Sequence, residues 1–232
     1  MDTEYKIISA REIHREFKTP EATISVLKGV NLEINRQDMA VVTGASGVGK
    51  STLLHILGGL DKPTRGQIKI GDTAIDNMSE KELARLRTKK VGFVFQNHYL
   101  LDDFDALENV MVPLLLDGRK PAEAKQRGEL LLEQVGLSNR RHHRPGALSG
   151  GEQQRVAVAR ALANDPWVVL ADEPSGNLDT ATGRKLHELL FSLNRDKSIT
   201  FLIATHNEEL AGQCNRRLRL VDGLVYENEK IG

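Results

Sequence analysis

The 232 residues, 40% of them hydrophobic, suffice for one large buried core or two small ones. Thirty-two basic residues balance 32 acidic ones, so no global field argues for a nucleic-acid partner. The one cysteine, Cys214, excludes an internal disulfide and any multi-cysteine zinc site.

Lys6 to Phe17 and Ile24 to Ile34 alternate loosely and are rich in β-branched residues, which predicts two strands around a loop at Thr19–Pro20–Glu21. Met39 to Thr43 is an apolar run, read as a buried strand. It enters Gly44-Ala45-Ser46-Gly47-Val48-Gly49-Lys50-Ser51-Thr52, and a helix follows from Thr52 to Leu57, ended by Gly58-Gly59. Gln67 to Ile70 reads as a short strand. Ser79-Glu80-Lys81-Glu82 is a capping box opening a helix to about Thr88. Val91 to Phe95 is a strand that ends at Gln96. From 97 to 163 strand signals are absent: a short helix over Ala106 to Val112, one from Pro121 to about Val135 stopped by Gly136, and one from Gln154 to Ala163. The basic run Arg140 to Arg144 is expected to be a solvated loop. Then follow a strand over Trp167 to Ala171, an amphipathic helix over Thr180 to Asn194 and a strand over Ser198 to Thr205. Glu208 to Gln213 is a short helix, and Arg217 to Val221 with Leu224 to Asn228 is a hairpin about Asp222-Gly223. The alternation implies one α/β domain over 1–232 with a mostly parallel sheet. Residues 1–96 and 164–232 form its core, and 97–163 an inserted helical subdomain. No basic-then-apolar pattern opens the chain, so no signal peptide is expected. Val110 to Leu116, the best candidate membrane span, is short and holds Pro113.

Gly44 to Thr52 fits the phosphate-loop pattern G-x-x-x-x-G-K-[ST]. Its glycines let successive N–H groups turn inward on phosphate oxygens, Lys50 adds a mobile charge, and Ser51 offers a hydroxyl to Mg²⁺. Asp172 and Glu173 end an apolar strand, where open α/β sheets bind their ligands. By itself that pair reads more simply as exposed acids capping a strand. Beside an intact phosphate loop, Asp172 is placed to hold Mg²⁺ and Glu173 to deprotonate an attacking water. Ser149-Gly150-Gly151-Glu152 is a second glycine-rich stretch before a helix, equally readable as an anion grip or as an ordinary serine cap.

Leu148-Ser149-Gly150-Gly151-Glu152-Gln153, close before Asp172-Glu173, resembles the signature of the ATP-binding cassette (ABC) ATPases, and the resemblance covers nearly the whole chain. It implies a P-loop NTPase fold with an antiparallel β subdomain. It also implies a head-to-tail dimer, each ATP held between one copy's phosphate loop and the other's Ser149 to Glu152. On the same resemblance Gln96 is the glutamine that senses Mg²⁺ and the γ-phosphate, and His206 the switch histidine. Asn177-Leu178-Asp179 is the loop along the dimer interface, and Phe17 stacks on adenine. His98 to Val110, Leu57 to Asp61 and His143-Arg144-Pro145 resemble the lipoprotein-releasing branch, of the LolD type. That branch implies two integral-membrane permease subunits (LolC/LolE-like) docking near Leu101 to Val110, lipoprotein cargo, no nucleic acid, and a peripheral place on the cytoplasmic face of a bacterial inner membrane. Alternatives are a MacB-type exporter, an FtsE-type division complex and, more remotely, a soluble ABC ATPase of DNA repair or translation. The chain departs from the family at Asp102 (usually proline), Ser175 (usually threonine) and Asn207 (usually aspartate).

Overall fold

The alternation near the start of the chain becomes a long antiparallel pair, β1 (Lys6–Lys18) and β2 (Thr23–Asn35), in the structure, a computed structural model that describes residues 5–228. β4 (Arg65–Ile70) pairs with β1, and β5 (Thr73–Ala74) closes a four-stranded antiparallel sheet of order β2-β1-β4-β5. β5 was not expected: two residues carry no period.

The second sheet holds β3 (Met39–Thr43), β6 (Val91–Val94), β7 (Val168–Asp172), β8 (Thr200–Ala204), β9 (Arg216–Val221) and β10 (Leu224–Asn228), in the order β10-β9-β3-β8-β7-β6. All pairings in it are parallel except β9 with β10, as the expected alternation requires. That hairpin turns at Asp222 and Gly223, both at positive φ (49° and 82°), the conformation a two-residue turn needs. Gly223 O then accepts from Lys28 N at 2.8 Å, which ties the two sheets together.

The central strands are apolar throughout because both faces are covered. Met39, Val41, Val169, Ala171, Phe201 and Ile203 bury on one face, and Ala40, Val42, Val168, Leu170, Leu202 and Ala204 on the other. The second face packs on α1 (Lys50–Leu57) and on the antiparallel sheet. The first meets α3 (Ala106–Leu116), α4 (Pro121–Gln134), α5 (Gly150–Ala161) and α6 (Thr180–Lys197). α2 (Glu80–Lys90) opens on the expected capping box, and α7 (Glu208–Gln213) follows β8. The thiol of Cys214, buried after α7, is pushed up to about 12 by burial, so it behaves as a small apolar residue.

Two helices differ from expectation in where they start or stop. α3 runs through Pro113 to Leu116 instead of stopping at Val112. Proline removes only one interior bond, and Leu114, fully buried, keeps the last turn packed. α5 starts at Gly150 instead of Gln154: Ser149 and Glu152 form a capping box that outweighs two glycines in the first turn. The run Arg140 to Arg144 is largely exposed, as expected of a solvated loop, and it carries surface ion pairs to acids from neighbouring helices. Arg140 pairs with Glu152 at 3.1 Å, Arg141 with Glu129 at 3.4 Å and His142 with Asp105 at 3.1 Å.

Arg216 is the buried cation that joins both sheets. Its Nη1 donates to Asp38 Oδ2 at 2.6 Å and to Glu33 O at 2.8 Å, and its Nε and Nη2 donate to Glu227. Arg216→Ala leaves the buried Asp38 without its cationic partner, with only the Asn35 N–H still donating to Oδ2. We expect a loss of about 3–5 kcal/mol in urea unfolding, with the denaturant slope unchanged.

Candidate functional site

The C-terminal ends of β3, β7 and β8 lie side by side, Val42 opposite Ala204 and Asp172 opposite Ala204. The phosphate loop, the Asp172-Glu173 pair and His206 therefore emerge at one edge of the sheet. This is where an open α/β sheet places its ligand.

The loop leaves β3 and wraps onto the start of α1. Gly49, at φ 110°, is the residue before α1, and a Cβ there would come within 2.6 Å of Val26 Cγ1 on β2. Only glycine allows that close approach, and it turns the free N–H groups of α1's first turn toward the loop. Lys50 is 8% exposed, and its Nζ donates to Gly44 O at 3.0 Å and Ala45 O at 3.1 Å. Its ammonium thus spans the loop from within. Ala45, Ser46 and Gly47 are exposed, Val48 and Thr52 half-buried, and Ser51 presents its hydroxyl at the surface. A cavity of about 470 Å³ opens beside Gly44 and Ala45, lined also by Thr43, His206, Arg217 and Arg219.

Glu173 follows β7 with φ at +45°, a left-handed conformation rare for a side-chain-bearing residue. Its N–H donates to Ala204 O at 2.8 Å. Its carboxylate accepts from Thr205 Oγ1 at 2.9 Å and from His206 N at 3.0 Å, and lies 2.8 Å from His206 Nδ1. The strained turn aims the carboxylate along the sheet edge, and the fully buried Thr205 fixes it there. His206 remains largely exposed. Asp172 Oδ1 is buried and has no hydrogen-bond donor, an anionic atom left for a cation. The Ser51 hydroxyl and the Gln96 amide oxygen are hard donors of the same kind, the ligand chemistry that Mg²⁺ takes. No cluster of three or more His, Cys, Asp or Glu side chains suited to a metal occurs among the described residues, so a cation here needs further oxygens from a phosphate or water.

Gln96 follows β6. Its Nε2 donates to Asn177 Oδ1 at 2.9 Å, and Asn177 Nδ2 donates back to Gln96 O at 3.1 Å. The bond uses the amide nitrogen and leaves the oxygen for a cation. Phe17 is half exposed on β1, with the Arg15 guanidinium 4.5 Å from its ring centroid. Ser149, Gly150, Gly151 and Glu152 form the start of α5, and no hydrogen bond among the described residues links them to the phosphate loop of the same chain. The Ser149 N–H holds the Glu152 carboxyl below the usual range, and Arg140 adds to this. A Cβ on Gly151 would come 2.3 Å from Thr182 Cγ2, so this glycine lets α5 seat against α6.

Several contacts at this edge are not legible in residue patterns. Thr205 looks like one more strand residue. Gln154, 0% exposed, donates from Nε2 to Phe95 O at 3.0 Å and shares a 2.5 Å bond with His98 Nδ1. Arg160 donates to His98 O and Tyr99 O, both at 2.6 Å. α5 thereby grips the segment beyond Gln96. The available signal is a polar side chain on an apolar helix face, which does not name its partner.

The family described as ABC transporter matches residues 27–176. A lipoprotein-releasing system ATP-binding protein LolD of Alcanivorax borkumensis is 44% identical over 225 residues, covering 97% of this chain and 99% of the relative. One of Myxococcus xanthus is 48% identical over 221 residues, covering 95% and 99%. Among solved structures, the ATP-binding cassette MJ0796, dimeric in a post-hydrolysis state with ADP and phosphate, superposes with a TM-score of 0.89 at 39% identity, covering 97% of this chain and 99% of that one.

Proposed function

Because this chain belongs to the ABC transporter family, whose cassettes bind and hydrolyse ATP, we propose that it is the ATPase of a transporter that releases lipoproteins from a bacterial inner membrane. The observation that carries the catalytic part is Glu173, held by Thr205 and His206 at the strand end next to the phosphate loop. In this reading Gly44 to Thr52 wrap the phosphates, and Lys50 exchanges the Gly44 and Ala45 carbonyls for β- and γ-phosphate oxygens. Glu173 accepts a proton from the attacking water, and His206 contacts the γ-phosphate. Ser51, Gln96 and Asp172 would hold Mg²⁺, which would supply positive charge against the phosphates. Phe17 offers its ring to adenine. A second copy supplies Ser149 to Glu152, whose helix start adds N–H groups to the γ-phosphate.

The dimeric cassette structures and the LolD relatives support a dimer with membrane-spanning permease partners. No helix among the described residues is long and apolar enough to cross a membrane. In this proposal those partners are LolC/LolE-like, and the chain is peripheral on the cytoplasmic face. Residues 97–163 form the arm that receives them. Tyr99, Leu101 and Phe104 are exposed ahead of α3. A groove of about 270 Å³ between β6 and α3, lined by Phe93, Phe95, Val112 and Leu116, suits an apolar helix.

The test is affinity purification of the tagged chain from detergent-solubilised native membranes, with mass spectrometry. Two related permeases with lipoprotein support the proposal. A different permease replaces the cargo, and ribosomes or DNA without a permease overturn the transport reading. Leu101→Asp with Phe104→Asp is expected to abolish permease recovery and leave the ATPase rate of the isolated chain unchanged.

A further inference from the structure

His187 lies on α6, outside the set of residues that meet nucleotide, yet it is a polar side chain only 4% exposed. Its Nε2 shares a 2.8 Å hydrogen bond with Ser175 Oγ, two residues beyond Glu173. One helical turn earlier Gly183 lies under the same serine, where a Cβ would sit 3.5 Å from Ser175 Cβ. Asp179 caps α6 by accepting from Ala181 N and Thr182 N, both at 3.0 Å. The segment from Ser175 to Asp179 is thus fastened to α6 at both ends.

Between these anchors, Gly176 N donates to Glu173 O at 3.0 Å and Leu178 N to Ser175 O at 3.1 Å. The left-handed backbone at Glu173 persists only if its surroundings over-determine it. Under the turn lies a cavity of about 200 Å³ lined by Glu173, Ser175, His187, Thr205 and Glu209, space into which an unfastened turn could relax. The start of α5 packs on the same unit, Gly151 against Thr182 of α6 and Gly150 against Leu178 of the segment before it.

We propose that His187 is a positioning residue: by latching Ser175 it fixes the turn bearing Glu173, so that the turn, α6 and the start of α5 move as one body. The latch acts on the chemistry through Glu173, and so rests on the role given to that residue above. A neutral imidazole suits it. Burial pushes the His187 pKa down, against the opposing pull of Glu209, which is itself paired with Arg184 at 3.0 Å.

The experiment compares kcat, KM for ATP and the thermal midpoint of the full chain in His187→Phe, Ser175→Ala, the double variant and Ser175→Thr, well below melting. Misplacing a catalytic group by a fraction of an ångström predicts a kcat about tenfold lower in each single loss, with KM unchanged. The double variant should be no slower than either, since one bond is lost in all three. Ser175→Thr keeps the hydroxyl and should keep the rate. Wild-type kcat in His187→Phe and Ser175→Ala, additive losses, or a rate that merely follows the folded fraction would overturn the latch. Glu173→Gln, run in parallel, separates the two ideas. Retained turnover there removes Glu173 as the base, whatever the latch variants do.

Discussion

Glu173→Gln is expected to cut ATP turnover by about 10²–10⁴-fold, the usual worth of a positioned general base, and to leave ATP binding intact. The carboxylate receives three groups in the structure: Thr205 Oγ1, His206 N and the His206 ring. An amide keeps the size and one acceptor oxygen. It cannot accept the proton of the attacking water, and its NH₂ either takes the place of the acceptor that Thr205 Oγ1 now donates to or faces the donor His206 N. The lost hydrogen bond costs about 1 kcal/mol, too little to unfold the chain. In the proposed mechanism binding rests instead on the phosphate loop and Lys50, which touch neither Thr205 nor Glu173 through any hydrogen bond among the described residues. Single-turnover hydrolysis and equilibrium binding of a fluorescent ATP analogue separate the two quantities. Hydrolysis within a few-fold of wild type removes Glu173 as the base. Loss of binding together with hydrolysis means the variant disturbs the loop, and the assignment fails as well.

The contrast between Glu173 and Thr205 indicates what a single sequence conveys. Strands such as Met39 to Thr43 are buried on both faces and read as unbroken apolar runs, so their positions follow from composition. The phosphate loop is equally legible, because its glycines and lysine must be contiguous to wrap one phosphate. Thr205 and His206 meet Glu173 across 32 and 33 residues of chain, and no local spacing encodes that meeting. Gln96 with Asn177 and His98 with Gln154 are contacts of the same kind. The start of α5 shows a different failure. Two glycines argue for a loop and a serine followed by glutamate argues for a helix, and the capping box prevails because it satisfies two backbone donors at once. The basic run at 140–144 is exposed as its charge suggests, but its acidic partners Asp105, Glu129 and Glu152 come from three separate helix segments and no local spacing announces them.

Ser149→Arg is expected to abolish hydrolysis in the dimer while the monomer keeps its ATP affinity. Ser149 caps α5: its hydroxyl accepts from Glu152 N at 3.3 Å, and its own N–H donates to Glu152 Oε2 at 2.8 Å. Losing the cap costs about 1 kcal/mol, which the fold can bear. The larger effect is steric, because a long cationic side chain fills the face that would meet the second copy's γ-phosphate. Mixing this variant with Lys50→Ala tests whether sites are shared. Either variant alone makes a dimer with two defective sites. In a shared arrangement the mixed dimer pairs the intact phosphate loop of one chain with the intact Ser149 of the other, and so rebuilds one complete site beside one doubly defective site. Adding Glu173→Gln to both chains should then trap one ATP per mixed dimer, read by filter binding of labelled nucleotide. If each chain instead completed its own site, the mixture would trap none and would stay as inactive as its components. Recovery on mixing two inactive proteins is hard to obtain in any other way, since neither variant can supply what it lacks. That outcome would place Ser149 to Glu152 opposite the phosphate loop of the second copy and make ATP the component that closes the dimer.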